Sequence, residues 1–150
     1  MGSNSILPVE NSLAVLTREI SRMLSRALEK QIKDYGVTIT QYYYLRVLWD
    51  EDGLSQQELS GRVGTKAPST AITLRGMEKA GYIRRIRNNR DGRIVNTMLT
   101  IDGKQLKSEL LPIAARINAE ALGILSTKES DMLWDIMNRL KRTMAKWDSD

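Results

Sequence analysis

Three times in this chain a hydroxyl residue is followed, three positions later, by Gln or Glu ahead of an apolar run: "TITQ" at Thr38, "SQQE" at Ser55 and "STKE" at Ser126. In such a capping box the hydroxyl accepts the N–H of the third helical residue, and the longer side chain reaches back to the cap's own N–H. Two otherwise unpaired donors are satisfied together, so each box fixes where a helix starts. Glycines at 36, 53, 64 and 81 supply stops. The chain is therefore cut mostly into helices, and the apolar spacing inside each cut says which face is buried.

Leu13, Leu16, Ile20, Met23, Leu24, Ala27, Leu28 and Ile32 recur at helical spacing and predict an amphipathic helix over residues 11–34. A second helix follows the Thr38 box to about residue 51, carrying Tyr42, Tyr43, Tyr44, Leu45, Leu48 and Trp49. The Ser55 box opens a short helix with Leu59 and Val63 that ends at Gly64. After a tight turn, "PSTAITLRGMEKAG" reads as another helix with Pro68 in its first turn and Ala71, Leu74 and Met77 inward. Two short helices joined this way form a helix-turn-helix pattern. Residues 82–87 and 94–99 are short and rich in β-branched side chains, and Asp91-Gly92 between them predicts a two-residue hairpin turn. Beyond Thr100 a long helix carries Leu106, Leu110, Ile113, Ile117, Ala121 and Ile124, with a kink expected at Pro112. The Ser126 box starts the last helix, with Leu133, Ile136, Met137, Leu140, Met144 and Trp147. The expected fold is mainly α with a small β-hairpin wing: a flexible leader over residues 1–10, then a single domain over residues 11–150. Within it, a winged helix-turn-helix over 38–100 lies between long helices at 11–34 and 101–147.

Charge is concentrated where that wing falls. Lys79, Arg84, Arg85, Arg87, Arg90 and Arg93 stand against Asp91 alone between positions 79 and 93, a surplus equal to the whole chain's +5. A basic hairpin directly behind a helix-turn-helix points to double-stranded DNA, with one helix in the major groove and the wing on the backbone or minor groove. In that geometry Pro68, Ser69, Thr70 and Thr73 face base edges, while Lys66 and Arg75 reach phosphates. Arg84, Arg85, Arg87 and Arg90 add salt-sensitive backbone affinity.

Other chemistries find little support. The chain of 150 residues has no cysteine and no histidine, which removes disulfides, thiol redox sensing, the usual general base and the commonest zinc ligands. "RNNRDG" places a glycine where a calcium loop needs one, but Arg87 and Met98 occupy positions that require carboxylates. No phosphate-cradling loop or nucleophile elbow is present. No metal, cofactor or catalytic role is expected, nor a membrane span, since no run of about 18 apolar residues occurs. A cytoplasmic location is expected. A double-stranded RNA or structural interaction module is the alternative to DNA binding, and a small enzyme is a more distant one. The first is disfavoured because the RNA major groove is too narrow for a helix.

The run from Leu54 to Lys104 resembles the MarR family of bacterial transcription regulators. The wing pattern of that family is an Asp, one residue, an Arg, then Leu-Thr and a Gly three residues further, which Asp91, Arg93, Leu99, Thr100 and Gly103 match in order. The helices flanking it match as well, so the likeness runs from about residue 11 to 147. The resemblance implies a ligand-responsive repressor binding a palindromic operator as a homodimer. It also implies that Arg93 enters the minor groove with Asp91 holding it by a charge-assisted hydrogen bond. A small organic effector, often an aromatic carboxylate in this family, would lie among Arg18, Arg22, Met23, Tyr42, Tyr43, Tyr44 and Arg46. Two departures stand out: Gly92 replaces one of two arginines common after the wing Asp, and Ile72 stands where many members carry an Arg.

Overall fold

The structure is a computed structural model that describes residues 12–147; the leader expected over residues 1–10 lies outside them. Its order is α1 (Leu13–Ile32), a 3-10 turn (Lys33–Tyr35), α2 (Ile39–Asp50), β1 (Leu54–Ser55), α3 (Gln56–Val63), α4 (Ala67–Lys79), β2 (Ile83–Arg87), β3 (Val95–Leu99), α5 (Ile101–Leu122) and α6 (Thr127–Met144). All three capping boxes form, with Thr38, Ser55 and Ser126 each accepting the N–H of the third helical residue and receiving its side chain in return. At Glu58 and Glu129 the bonds from the serine backbone N–H and then its hydroxyl hold the carboxyl below the ordinary range. Gly36 and Gly64 close their helices in the left-handed region, at φ 72° and 75°.

Among the described residues the chain divides into two compact units, with the boundary inside α5 between Ala114 and Ala115. The first holds the winged helix-turn-helix. Its core is built from Tyr44, Leu45 and Leu48 of α2, Leu59 of α3, Leu74 and Met77 of α4, and Ile83 and Leu99 of the sheet, all buried. The second unit holds the end of α5, a short turn through Gly123, and α6. On α6, Trp134, Ile136, Met137 and Met144 remain exposed, as does Trp147 beyond it. α5 stays helical through Pro112.

Sequence reasoning missed one strand. Residues 54 and 55 pair antiparallel with β3 through Leu54↔Thr97 and Ser55↔Asn96, giving a three-stranded sheet in the order β1-β3-β2. Two residues show no periodicity, and Ser55 is also the cap of α3. Asp52 anchors this corner: its carboxylate accepts the N–H groups of Gly53 at 2.9 Å and Leu99 at 2.8 Å. The sheet is thereby tied to the end of α2.

Candidate nucleic-acid interface

α4 begins at Ala67 with Lys66 in the cap position and Pro68 in the first turn. A lysine side chain cannot accept a hydrogen bond, and α4 has no side-chain cap. Its opening N–H groups thus stand beside a cation at the positive end of the helix dipole, an arrangement that favours an anion. Lys66, Pro68, Ser69 and Arg75 are exposed, as the sequence suggests for groups that meet a ligand. Thr73 is half-buried, and its hydroxyl donates to the Ser69 carbonyl at 3.0 Å, which leaves it only acceptor capacity.

Thr70 is a correction. Expected at base edges, it is fully buried at the centre of a hydroxyl cluster. Its Oγ1 receives the Ser60 hydroxyl at 2.6 Å and lies 2.9 Å from the Tyr44 hydroxyl and 3.1 Å from that of Thr65. Thr65 and Tyr44 are also bonded, at 2.8 Å. The cluster pins the first turn of α4 to α2, α3 and the turn between the helices. A missed signal was available: Thr70 precedes Leu74 by four residues and Met77 by seven, so it continues their buried stripe. Tyr44, expected as an effector contact, is corrected by the same finding, since its ring is buried and its hydroxyl is committed to that cluster.

The wing also differs from expectation. The turn is not a two-residue Asp-Gly link; seven residues, 88–94, separate β2 from β3. Asn88, which sequence reasoning passed over, organises them. Its Oδ1 accepts from the N–H of Arg90 at 2.8 Å and of Asp91 at 3.2 Å, and its own N–H donates to the Ile94 carbonyl at 2.8 Å. Asp91 Oδ1 accepts the backbone N–H of Arg93 at 3.0 Å rather than the guanidinium. Such side-chain turns replace the glycine conformation a tight hairpin requires. Gly92 accordingly is not among the glycines with positive φ. Arg90 and Arg93 are left exposed on a folded tip.

The strand pleat splits the remaining arginines. Arg84 and Ile86 share one face of β2, and Arg85 and Arg87 the other. Arg85, expected to add backbone affinity for DNA, has a counter-charge in the protein. Its guanidinium meets Glu78 of α4 at 2.7 and 2.9 Å, and its N–H donates to the same carboxylate at 3.1 Å. These bonds, the side-chain one foremost, hold the Glu78 carboxyl below its ordinary range. The pair locks α4 to the wing.

The expected effector residues scatter. Arg18, Arg22 and Met23 are exposed on α1, and Arg46 is exposed on α2. Tyr42 is buried, with edge contacts to Trp49 and Tyr43 at 6.0 Å, and burial raises its hydroxyl pKa. Tyr43 is exposed, and its hydroxyl meets that of Ser25 on α1 at 2.5 Å.

Residues 37–95, from just before α2 to the first residue of β3, match the MarR family model. In this part the chain is similar to the MarR family of transcription regulators. It is 29% identical over 143 residues to the HTH-type transcriptional regulator SarZ of Staphylococcus aureus (strain MRSA252), covering 92% of this chain and 93% of SarZ. The identity is also 29% to the HTH-type transcriptional regulator TtmR of Methylorubrum extorquens (strain PA1), over 102 residues covering 68% of this chain and 52% of TtmR. The chain thus spans about half the length of TtmR. A MarR family transcriptional regulator from Listeria monocytogenes, solved with a 26mer DNA, shares the fold at a TM-score of 0.84, with 21% identity and 91% of each chain covered. These similar proteins are regulators and not enzymes. Among the described residues no helix is long and apolar enough to cross a membrane.

Proposed function

We propose that this protein is a MarR-type regulator that binds double-stranded DNA sequence-specifically, as a homodimer on a palindromic operator, and represses transcription from it. The observation that carries the reading is the wing tip, where Asn88 and Asp91 spend their side chains on backbone N–H groups and so hold Arg90 and Arg93 out to solvent. A folded loop that displays guanidinium groups suits insertion beside phosphates or into a minor groove. The DNA complex of the Listeria protein supports the same use of this fold. Dimerisation is supported by the exposed apolar stripe Leu13, Leu16, Ile20 and Met23 on α1, and separately by the exposed Trp134, Met137 and Trp147 in the second unit. A palindrome with half-sites about one helical turn apart requires such a two-fold pair.

Genomic fragments retained by the protein identify the operator, and titration of that duplex against salt tests the docking. Arg93→Ala is expected to weaken binding about tenfold and to lower the salt slope by about one, as for loss of one charged contact. Unchanged affinity and slope refute the assignment of the wing, and an RNA duplex that competes equally refutes DNA as the partner.

Release by a small organic effector is the finer part of the proposal, supported by a composition that provides neither thiols for redox sensing nor histidines for zinc. Arg18, Arg22, Met23, Tyr43 and Arg46 remain the exposed candidates. Such a ligand must bind the DNA-incompatible arrangement more tightly than the compatible one. Aromatic carboxylates that raise Tm and displace the operator at matched concentrations support it; displacement without binding to the protein refutes it.

A further inference from the structure

The outward stripe of α4 carries a side chain that neither the fold nor phosphate binding explains. Thr70, Leu74 and Met77 are buried; on the opposite side, Pro68, Ile72, Arg75 and Lys79 follow one another at helical spacing and are all exposed. Ile72 is 64% exposed. An exposed apolar side chain is ordinary on a protein surface, but this one sits in the middle of the stripe, one turn from Ser69 and beside Arg75. The cations at positions 66, 75 and 79 bracket it and complement a phosphate backbone on either side. What a branched alkyl group can recognise between two phosphate strands is narrow: of the base edges in the major groove, only thymine presents an apolar group, its 5-methyl. Ser69 and Thr73 beside it accept several bases and settle little.

We infer that Ile72 is a specificity-determining residue that packs on a thymine 5-methyl in each half-site and biases the operator toward A·T beneath the second turn of α4. This rests on the DNA-binding proposal above.

The test begins with selection of preferred duplexes from a random pool by the full chain. Thymines of the selected site are then replaced one at a time by deoxyuridine, which removes only the methyl. In the wild-type protein one symmetric pair of positions is expected to lose about fourfold in affinity per contact, the value of one buried methyl group. In Ile72→Ala that sensitivity disappears, and the salt slope stays unchanged because no phosphate contact is involved. The inference is overturned if every deoxyuridine duplex binds like its thymine parent, or if Ile72→Ala keeps the same sensitive positions. In both cases the protein still binds the selected DNA, so the function stands. If selection enriches no duplex at all, DNA binding itself fails, and the inference with it.

Discussion

Gly103, in the first turn of α5, offers a sharp test of how the first unit is put together. A Cβ at this position would overlap the Tyr82 carbonyl oxygen, lie 3.0 Å from the carbonyl carbon and come 3.2 Å from Leu99 Cδ2. The obstacle is backbone and is itself held, since Tyr82 accepts the Thr100 N–H at 3.0 Å while the Thr100 hydroxyl donates to Gly81 at 2.6 Å. The Gly103 carbonyl in turn accepts the buried indole N–H of Trp49 at 2.8 Å. Gly103→Ala must therefore push α5 away from the α4–β2 corner. Overpacking of a tight contact costs about 1–3 kcal/mol, and stretching the Trp49 bond adds about 1–3 kcal/mol for a buried donor left short of its acceptor. Alanine returns about 1 kcal/mol of helix preference, so the net loss is roughly 1–5 kcal/mol. For a chain of this size that is a Tm drop of about 2–20 °C, at about 2–4 °C per kcal/mol. Gly61, helical in α3 with nothing within 4 Å of its added Cβ, is the control. Gly61→Ala is expected to raise stability by about 0.5–1 kcal/mol, because only the preference term applies. Calorimetry at one fixed protein concentration reads both variants, since the proposed dimerisation would make Tm depend on concentration. A Gly103→Ala protein as stable as wild type, or two variants shifted in the same direction, refutes the close approach.

Thr70→Val keeps the shape but strips the hydroxyl cluster, and is expected to cost about 1–3 kcal/mol in urea unfolding while weakening all DNA sequences alike; a change confined to sequence preference contradicts its placement. Thr97 Oγ1 is buried without a partner, so Thr97→Val should be neutral or stabilising by about 1 kcal/mol, and a marked loss of Tm counts against that burial. Glu78→Gln frees Arg85 for phosphate and is expected to steepen the salt slope of DNA binding by about one; an unchanged slope means the arginine does not face DNA. The same pair gives a pH signature. Because the Glu78 carboxyl is held below its ordinary 4.5, its contribution is complete above that value and is lost as pH falls through the depressed one. The Tm difference between wild type and Glu78→Gln should hold constant from about pH 7 to 5 and shrink toward pH 3; a difference that grows on acidification rules this out.

What could be read from the sequence was what depends on neighbours along the chain. The capping boxes at Thr38, Ser55 and Ser126 formed because both partners of each bond lie within one turn. The wing strands were legible for a similar reason, but their link was not. Asp91-Gly92 has the composition of a tight turn, yet Asn88 offers a side-chain oxygen to two N–H groups, and that alternative wins over a glycine conformation. β1 escaped because its two residues owe their strand geometry to β3, some forty positions away in the chain. The Arg85–Glu78 pair escaped because counting charge from Lys79 onward excluded the one carboxylate that the fold brings back to the strand.

The harder case is the phase of α4, where one residue separates recognition from core. Starting the helix at Pro68 and taking Ala71 as inward rotates the buried stripe by about 100° from one centred on Thr70. A threonine tolerates either environment, and its polarity argues for the surface. Its burial is decided instead by Tyr44, Ser60 and Thr65, which supply enough hydroxyl partners to satisfy it. Once Thr70 turns inward, Ile72 must turn outward, since two residues on a helix stand about 200° apart. The buried cluster and the exposed isoleucine are therefore one structural fact seen from two sides. Thr70→Val tests it from within the fold, deoxyuridine substitution tests it from the DNA, and a helix phase consistent with only one of the two results is excluded.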